Sequence, residues 1–144
     1  MPNQGSRIQT ILIGETNVAV GFGKISNTIA RVLINSNYPD SMISKRFLSK
    51  LGTRMNKRKR RAAPHEGGFM INDEILPVVC RISLPIKLNG TTRFDNMIVI
   101  NGMQLDCIIG HDFIEKHEVT FDPQLKTILF KQMHLHNHQK KTTT

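Results

Sequence analysis

The stretch CIIGHDFIEKHEVTFDPQLKTILF, residues 107–130, combines three kinds of local structure in a short span. The run CIIG is short and aliphatic, which predicts the end of a buried strand. The segment HDFIEKH predicts a short helix, because its apolar residues fall on one side. The residues that follow form two apolar runs around Asp122 and Pro123, which predicts a hairpin with these two residues in its turn. The stretch therefore indicates a domain built mostly from strands.

Upstream of this stretch, most of the chain also has strand patterning. Residues 78–88 alternate strictly between two faces, as a strand does, and Pro85 indicates an edge or a bulge near its position. Short strands are further predicted at four places separated by Gly, Asn and Ser: 10–13, 17–22, 28–34 and 95–100. Seven or more short strands and two short helices predict an all-β domain that is either a closed barrel or a sandwich.

The segment VLINSNYPDSMIS, residues 32–44, contains the first candidate site. An apolar strand ends in the polar triplet Asn35, Ser36 and Asn37. Loops that follow buried strands often carry functional side chains. A helix is predicted over residues 40–52, where apolar residues recur at helical spacing, with Asp40 or Ser41 as its N-cap and Gly52 at its end.

Composition sets broad limits on what the chain is. Its 144 residues suit one domain, and 39% of them are hydrophobic. No apolar run approaches the roughly 20 residues of a membrane span, and the N-terminus lacks a secretory signal, so we expect an intracellular protein, cytoplasmic or nuclear. Cys80 and Cys107 lie within apolar patterns and are predicted to be reduced core residues.

The net charge of +9 is concentrated in one run of five cations and in the tail. Three alternative interpretations fit this run: a solvated basic loop, a nuclear import signal, and a patch that binds phosphate groups. Nucleic acid is therefore a candidate partner, although no aromatic residue interleaves the run to stack on bases. The residues of the run are Lys57, Arg58, Lys59, Arg60 and Arg61.

These observations divide the chain into three parts. Residues 1–7 and 132–144 are polar and are expected to be disordered. Residues 8–131 are expected to form the domain. Within it, residues 53–68 are interpreted as a basic, mobile loop that leads into the segment 66–77.

The chain resembles the retropepsin-like aspartic proteases, in particular those of gypsy-type LTR retrotransposons. The resemblance rests on two motifs: a strand with a small polar triplet followed by Ser-x-Ile-Ser, and, about seventy residues later, two aliphatics, Gly, any residue, Asp, Phe and an aliphatic. It covers roughly residues 8–131 and implies a closed retropepsin-like β barrel, a homodimer and a peptide in the cleft. The second motif is matched at Ile108, Ile109, Gly110, Asp112, Phe113 and Ile114.

In the first motif, by this resemblance, Asn35 stands where the family has its catalytic aspartate, Asn37 where it has glycine, and Tyr38 where it usually has alanine. Ser36 is retained and, in the family, ties the turns of two subunits together. The family's reaction needs two carboxylates that share a proton, one acting as a base on water. An amide donates and accepts hydrogen bonds but takes up no proton near neutral pH. A symmetric dimer would then hold two amides and no base.

The resemblance also implies a flap over the cleft. The segment EGGFMIND lies where the flap should be, with Gly67 and Gly68 at its tip and Phe69 and Ile71 facing a groove. A glycine pair of this kind suits a tight turn, because glycine adopts positive φ freely.

The remaining candidates are interpreted as structural. We expect Asp40 to cap a helix, and, as its family counterpart implies, Asp112 to cap the short helix that follows Gly110. The alternating histidines at 134, 136 and 138 would bind a metal only weakly, so no metal ion and no cofactor is predicted.

The sequence therefore favours a retroelement-derived domain that is a catalytically inactive pseudoprotease, acting in dimerisation or in binding a peptide or protein. One alternative is an active aspartic endopeptidase that processes a Gag-Pol polyprotein, with a partner chain supplying the aspartate. The other is a nucleic-acid-associated domain that uses residues 57–61.

Overall fold

A computed structural model describes residues 10–15, 17–52 and 68–131, and these residues form eleven strands and two short helices. Residues 53–67 of the loop predicted over 53–68, the two predicted disordered ends and the histidines of the tail lie outside the described residues. In chain order the elements are β1 Ile11–Glu15, β2 Val18–Ile25, β3 Thr28–Asn35, β4 Met42–Ser44, α1 Lys45–Ser49, β5 Phe69–Ile71, β6 Glu74–Leu76, β7 Val78–Leu88, β8 Thr91–Ile100, β9 Cys107–Ile109, α2 His111–Lys116, β10 Val119–Asp122 and β11 Thr127–Phe130.

Seven strands form one sheet in the order β1-β2-β3-β9-β4-β8-β7. The sheet closes because β2 also pairs with β7, through Ile25 and Ile86. Six strands therefore make a barrel, and β1 pairs with β2 outside it. The prediction of an all-β, closed barrel with two short helices is confirmed.

The barrel interior is filled mainly by aliphatic residues. Along β7 the alternating residues Cys80, Ile82, Leu84, Ile86 and Leu88 are all buried, as the sequence pattern predicted. Each fully buried Leu or Ile side chain contributes about 1.5–3 kcal/mol of transfer free energy. Both cysteines are buried and free, so that prediction is also confirmed.

Pro85 is accommodated because its backbone faces β2, just beyond Ile86, where the β2–β7 pairing ends. The carbonyl of Pro85 accepts a hydrogen bond from Ser26 N at 3.0 Å, which directs this residue towards β2 rather than β8. The proline's missing N–H is therefore not needed by the β7–β8 ladder. The register shift in that ladder lies elsewhere, between Val78 and Cys80.

The helix predicted over residues 40–52 is shorter than expected, and neither Asp40 nor Ser41 is its N-cap, whereas Gly52 follows the helix end at φ +95. Residues 42–44 form β4, which is buried between two strands, and α1 begins only at Lys45. The N-cap is Ser44, whose Oγ accepts a hydrogen bond from Phe47 N at 2.9 Å. Strand pairing therefore overrides the helical spacing of the apolar residues over the first turn.

The turn between β7 and β8 ties the two ends of the domain together. The Asn89 side chain accepts hydrogen bonds from the backbone N–H groups of Thr10 and Ile11 at 3.0 and 3.2 Å. Its amide nitrogen donates to Thr127 Oγ1 at 2.8 Å.

The predicted hairpin is formed by β10 and β11, and Asp122 Oδ1 accepts from two backbone N–H groups of its turn. Within the described residues, neither helix is long and apolar enough to span a membrane.

Candidate functional site

Strand pairing brings the two sequence motifs together. β9 runs parallel to β3, with Ile108 opposite Leu33 and Ile109 opposite Ile34, and antiparallel to β4. β9 therefore lies between the two strands that flank the Asn35–Asn37 turn. Because the carboxyl ends of parallel strands meet at one edge, the loop after β9 meets the loop after β3.

The two loops are in direct backbone contact. His111 N donates to Tyr38 O at 2.7 Å, and Asp112 N donates to Pro39 O at 3.1 Å. At Gly110 a Cβ would lie 2.6 Å from the carbonyl oxygens of both Tyr38 and Asp40. Both obstacles are backbone atoms, so a glycine is needed at this position to let the loops approach.

Asp112 joins the two loops through its side chain. Its Oδ1 accepts from Ser41 Oγ at 2.7 Å and its Oδ2 accepts from Ser41 N at 3.2 Å. Ser41 Oγ in turn accepts from Gly110 N at 2.9 Å. The expectation that the Asp112 side chain is the N-cap of this helix is wrong. Asp112 lies inside the first turn of α2, and the N-cap residue is Gly110. Ser41, Gly110 and Asp112 therefore form a frame that holds the two loops together.

The Asn35–Asn37 turn is held by its own hydrogen bonds. Tyr38 N donates to Asn35 O at 3.2 Å, and Asn37 N donates to Asn35 Oδ1 at 2.9 Å. Asn35 and Ser36 are partly buried and Asn37 is exposed. Asn37 does not have a positive φ. The backbone of this chain therefore does not require glycine there, and the turn is closed without a carboxylate.

The hairpin of β5 and β6 lies in the predicted flap segment, but its tip differs from the expected one. The tip is formed by Asn72 and Asp73, both at positive φ. Gly68 stands at the open end, at φ +82, where a Cβ would lie 2.1 Å from Leu76 O. Gly67 is outside the described residues. An Asn-Asp pair between short apolar runs is a hairpin signal in itself, and could have located the tip.

One face of this hairpin packs onto the barrel next to the turn. Ile71, which we expected to face a groove, is 4% exposed, and Phe69 is partly buried beside it. They belong to an apolar cluster distinct from the barrel core, against which Tyr38 also packs. The other face exposes the cross-strand pair Met70 and Ile75. The buried members of this cluster are Met42, Ile71, Ile98, Ile100, Met103 and Ile108.

Two titratable groups near α2 and β9 are perturbed. Burial raises the pKa of the Cys107 thiol, and Asp106 adds to the rise, so this cysteine stays protonated and unreactive. Burial lowers the pKa of His117 below 6.5, while the charge of Asp95 opposes the shift. Neither group lies in the turn, and within the described ranges no cluster of His, Cys, Asp and Glu could hold a metal ion.

Not all candidate residues are brought together. The structure joins Asn35, Ser36 and Asn37 to the motif of Ile108, Ile109, Gly110 and Asp112. The basic run at 57–61 lies outside the described residues. The role of Ser41 as the link between the motifs was missed because its position beside Asp40 indicated a helix cap. The contact between Ser41 and Asp112 follows only from the pairing of the strands, because these two residues are 71 positions apart in the chain.

Comparison with known proteins agrees with this geometry. A family model described as retroviral aspartyl protease matches residues 13–136. The retroviral protease-like domain of Ddi1 from Leishmania major has a TM-score of 0.61 at 16% identity, over 88% of this chain and 91% of that chain. EIAV protease complexed with the inhibitor HBY-793 has a TM-score of 0.53 at 16% identity, over 67% of this chain and 85% of that chain. No curated protein sequence matches.

Proposed function

Because the chain belongs to the retroviral aspartyl protease family, we propose that it is a pseudoprotease of that family, derived from a retroelement polyprotein. In this proposal two copies form a homodimer that holds a peptide or protein segment without cleaving it. The observation that carries the proposal is the Asn35–Asn37 turn, which follows β3 where the loop after β9 meets it and which contains no acid.

The chemistry argues against hydrolysis by a dimer of this chain alone. A required general base contributes typically 10²–10⁴-fold to a rate, and an amide does not act as one near neutral pH. The carboxylate of Asp112, in the loop after β9, accepts hydrogen bonds from Ser41 and Phe113. It therefore does not replace the missing acid of Asn35.

Two features support retained binding. The frame around the turn is intact, because Ser41, Gly110 and Asp112 lock the two loops together. The hairpin beside the turn exposes Met70 and Ile75, which are 58% and 62% exposed and offer apolar contact to a bound segment. A pseudoprotease needs both features and does not need the carboxylate.

A rescue of activity tests this proposal. Cleavage of a quenched fluorescent peptide library at mildly acidic pH is measured for the native chain, for Asn35→Asp, and for Asn35→Asp combined with Asn37→Gly. Asn101→Asp makes the same chemical change on an exposed turn and serves as the control. We expect cleavage only from the variants that carry an aspartate at position 35.

Cleavage by the native chain that is blocked by an aspartic-protease inhibitor would overturn the proposal in favour of an endopeptidase. Sedimentation of the native chain tests the dimer separately. A monomer at all accessible concentrations would remove the homodimer from the proposal.

A second function, binding to nucleic acid, is supported by α1 and the residue that follows it. This segment exposes Lys45, Arg46 and Lys50, and the chain continues into the basic run at 57–61. Contacts with phosphates give an affinity that falls steeply with salt concentration. Neutralising residues 57–61 should reduce the salt slope of RNA or DNA binding, and a flat salt dependence in the native chain would refute this function.

A further inference from the structure

The outer face of β1, β2 and β3 carries exposed apolar side chains in neighbouring positions. Leu12 lies directly opposite Val20 in the β1–β2 ladder, and Phe22 follows Val20 by two residues, so these three side chains project from one face. Ile29 lies on the same face of β3, two residues before Arg31, which is opposite Phe22. The four apolar side chains are between 49% and 63% exposed. Leu12, Val20, Phe22 and Ile29 are called the outer patch below.

The outer patch ends where the candidate site begins. Leu33 continues the row of Leu12 and Val20 on β3, but it is half-buried against the apolar cluster that includes Ile71 of the β5–β6 hairpin. The other face of these strands lines the barrel core. The outer patch therefore serves neither the core nor that cluster. Contiguous apolar side chains on the surface of a soluble protein mark interaction sites.

Cations are interleaved with the outer patch. In the β2–β3 ladder Arg31 is directly opposite Phe22, and Lys24 is directly opposite Ile29. Lys87 is in turn opposite Lys24, where β2 pairs with β7. All three cations are exposed, and among the described side chains none of them forms an ion pair. Like charges directly opposite each other on a sheet repel, so an anion placed between Lys24 and Lys87 would relieve that repulsion.

We propose that the outer patch is a docking site for an acidic amphipathic peptide segment of a partner protein, which presents apolar side chains next to Asp or Glu carboxylates. Burial of the apolar side chains supplies the affinity, and the carboxylates select the segment by pairing with the cations. The carboxylate of Asp106 lies beside Arg31, whose backbone N–H donates to Asp106 Oδ2 at 2.9 Å. An incoming carboxylate is therefore favoured at Lys24 and Lys87. This site is separate from the Asn35–Asn37 turn and adds a second binding surface.

Two other occupants fit this surface less well. The same surface of a second copy brings only cations and apolar side chains, and so offers no carboxylate to Lys24, Arg31 or Lys87. A membrane would have to take up Phe22 and Ile29 together with the cations directly opposite them, and bringing a charge towards hydrocarbon costs free energy. A peptide avoids both costs, because it can place a carboxylate against each cation.

Peptide selection on the native chain provides the test. A phage-displayed library of random peptides is selected on the native chain, and fluorescein-labelled synthetic copies of the enriched peptides are measured by fluorescence anisotropy. Phe22→Thr combined with Ile29→Thr removes the apolar contact and keeps residues that favour a strand. Lys24→Gln combined with Lys87→Gln removes the charges. Phe94→Thr is the matched control, because Phe94 is 58% exposed on β8, outside the outer patch. Urea denaturation verifies that each variant is folded.

We expect the enriched peptides to combine apolar residues with a net negative charge. The double threonine variant should weaken their binding by more than about tenfold, as expected when two central apolar contacts are lost. The double glutamine variant should weaken it several-fold and make it less dependent on salt concentration, because paired charges are screened by salt. Phe94→Thr should bind the peptides as the native chain does.

The inference fails if no acidic amphipathic peptide is enriched, or if the enriched peptides bind the double threonine variant as tightly as the native chain. It also fails if Phe94→Thr weakens their binding equally. Sedimentation with phosphatidylserine vesicles and self-association of the native chain are measured alongside. Either one, if the double threonine variant abolishes it, would replace the peptide by a membrane or by a second copy. Peptidase activity in the native chain would refute the pseudoprotease and leave this docking site standing.

Discussion

The two loops that meet at the candidate site are held in different ways. The loop after β9 is buried at Gly110, and its backbone and the Asp112 carboxylate bond to residues of the other loop. The Asn35–Asn37 turn is partly exposed and is closed mostly by hydrogen bonds within itself. The link between the loops thus depends on contacts between distant segments, whereas the Asn35–Asn37 turn depends mostly on hydrogen bonds within itself. A change of chemistry at Asn35 can therefore leave the frame intact.

The largest effect is expected where the frame has no space. Gly110→Ala would place a Cβ 2.6 Å from two backbone oxygens, those of Tyr38 and Asp40. Neither oxygen can move without separating the loops, so we expect a loss of about 3 kcal/mol or more in the free energy of unfolding. Urea denaturation followed by circular dichroism measures it.

Gly14→Ala is the matched control for this substitution. A Cβ at Gly14 meets nothing within 4 Å, and its φ is not positive. We expect a change within about 0.5 kcal/mol, which is usual for surface positions. If Gly110→Ala were as mild as this control, the close approach of the loops would not be a requirement of the fold.

The next effect concerns the side-chain link of the frame. Asp112 accepts hydrogen bonds from Ser41 Oγ, Ser41 N and Phe113 N, so Asp112→Ala should lower the free energy of unfolding by about 2–3 kcal/mol. Ser41→Ala removes one of these bonds. A double-mutant cycle with both substitutions should give a coupling energy of about 1 kcal/mol or more, and additive effects would show that the link contributes nothing.

The contrast between local structure and contacts between distant segments also explains which parts of the fold the sequence predicted. Period-two alternation located β7, and the motif around Gly110 identified the family and the closed barrel. Because these features are local or periodic in the sequence, they can be recognised from one sequence. The position of Asn35 at a strand end was also predicted correctly.

The parts that were missed depend on contacts between distant segments. The helical spacing before Phe47 suggested a longer α1, but pairing of β4 with β8 and β9 makes its first residues a strand. Ser41 was assigned to a helix cap because its partner, Asp112, lies far along the chain.

A smaller effect is expected in the turn itself. Asn35→Ala removes the side-chain acceptor of Asn37 N, which is exposed to solvent, so we expect a loss of about 0.5–1.5 kcal/mol in the free energy of unfolding. Asn37→Gly introduces a glycine at a position without positive φ, and should lower the free energy of unfolding by about 0.5 kcal/mol through a more flexible unfolded chain. A loss as large as that of Asp112→Ala would mean that the turn belongs to the frame.

The smallest effect concerns pH. Burial lowers the pKa of His117 below 6.5, Asp95 opposes this shift, and Lys116 and Arg93 add to it. Above about pH 6.5 the histidine is neutral in the folded and unfolded chains, so its contribution to stability is complete. As the pH falls below that value, the unfolded chain takes up the proton first, and the folded state loses stability.

His117→Phe removes the titrating group and keeps a ring against Phe113, whose ring centroid lies 4.5 Å away in the native chain. Urea denaturation between about pH 7 and pH 5 should then give a shallower loss of stability in the variant than in the native chain. A steeper loss in the variant would mean that the attraction of Asp95 outweighs burial and raises the pKa of His117. Because the ring is partly exposed, water reduces the penalty on its charge, and we expect this effect to be the smallest of the four.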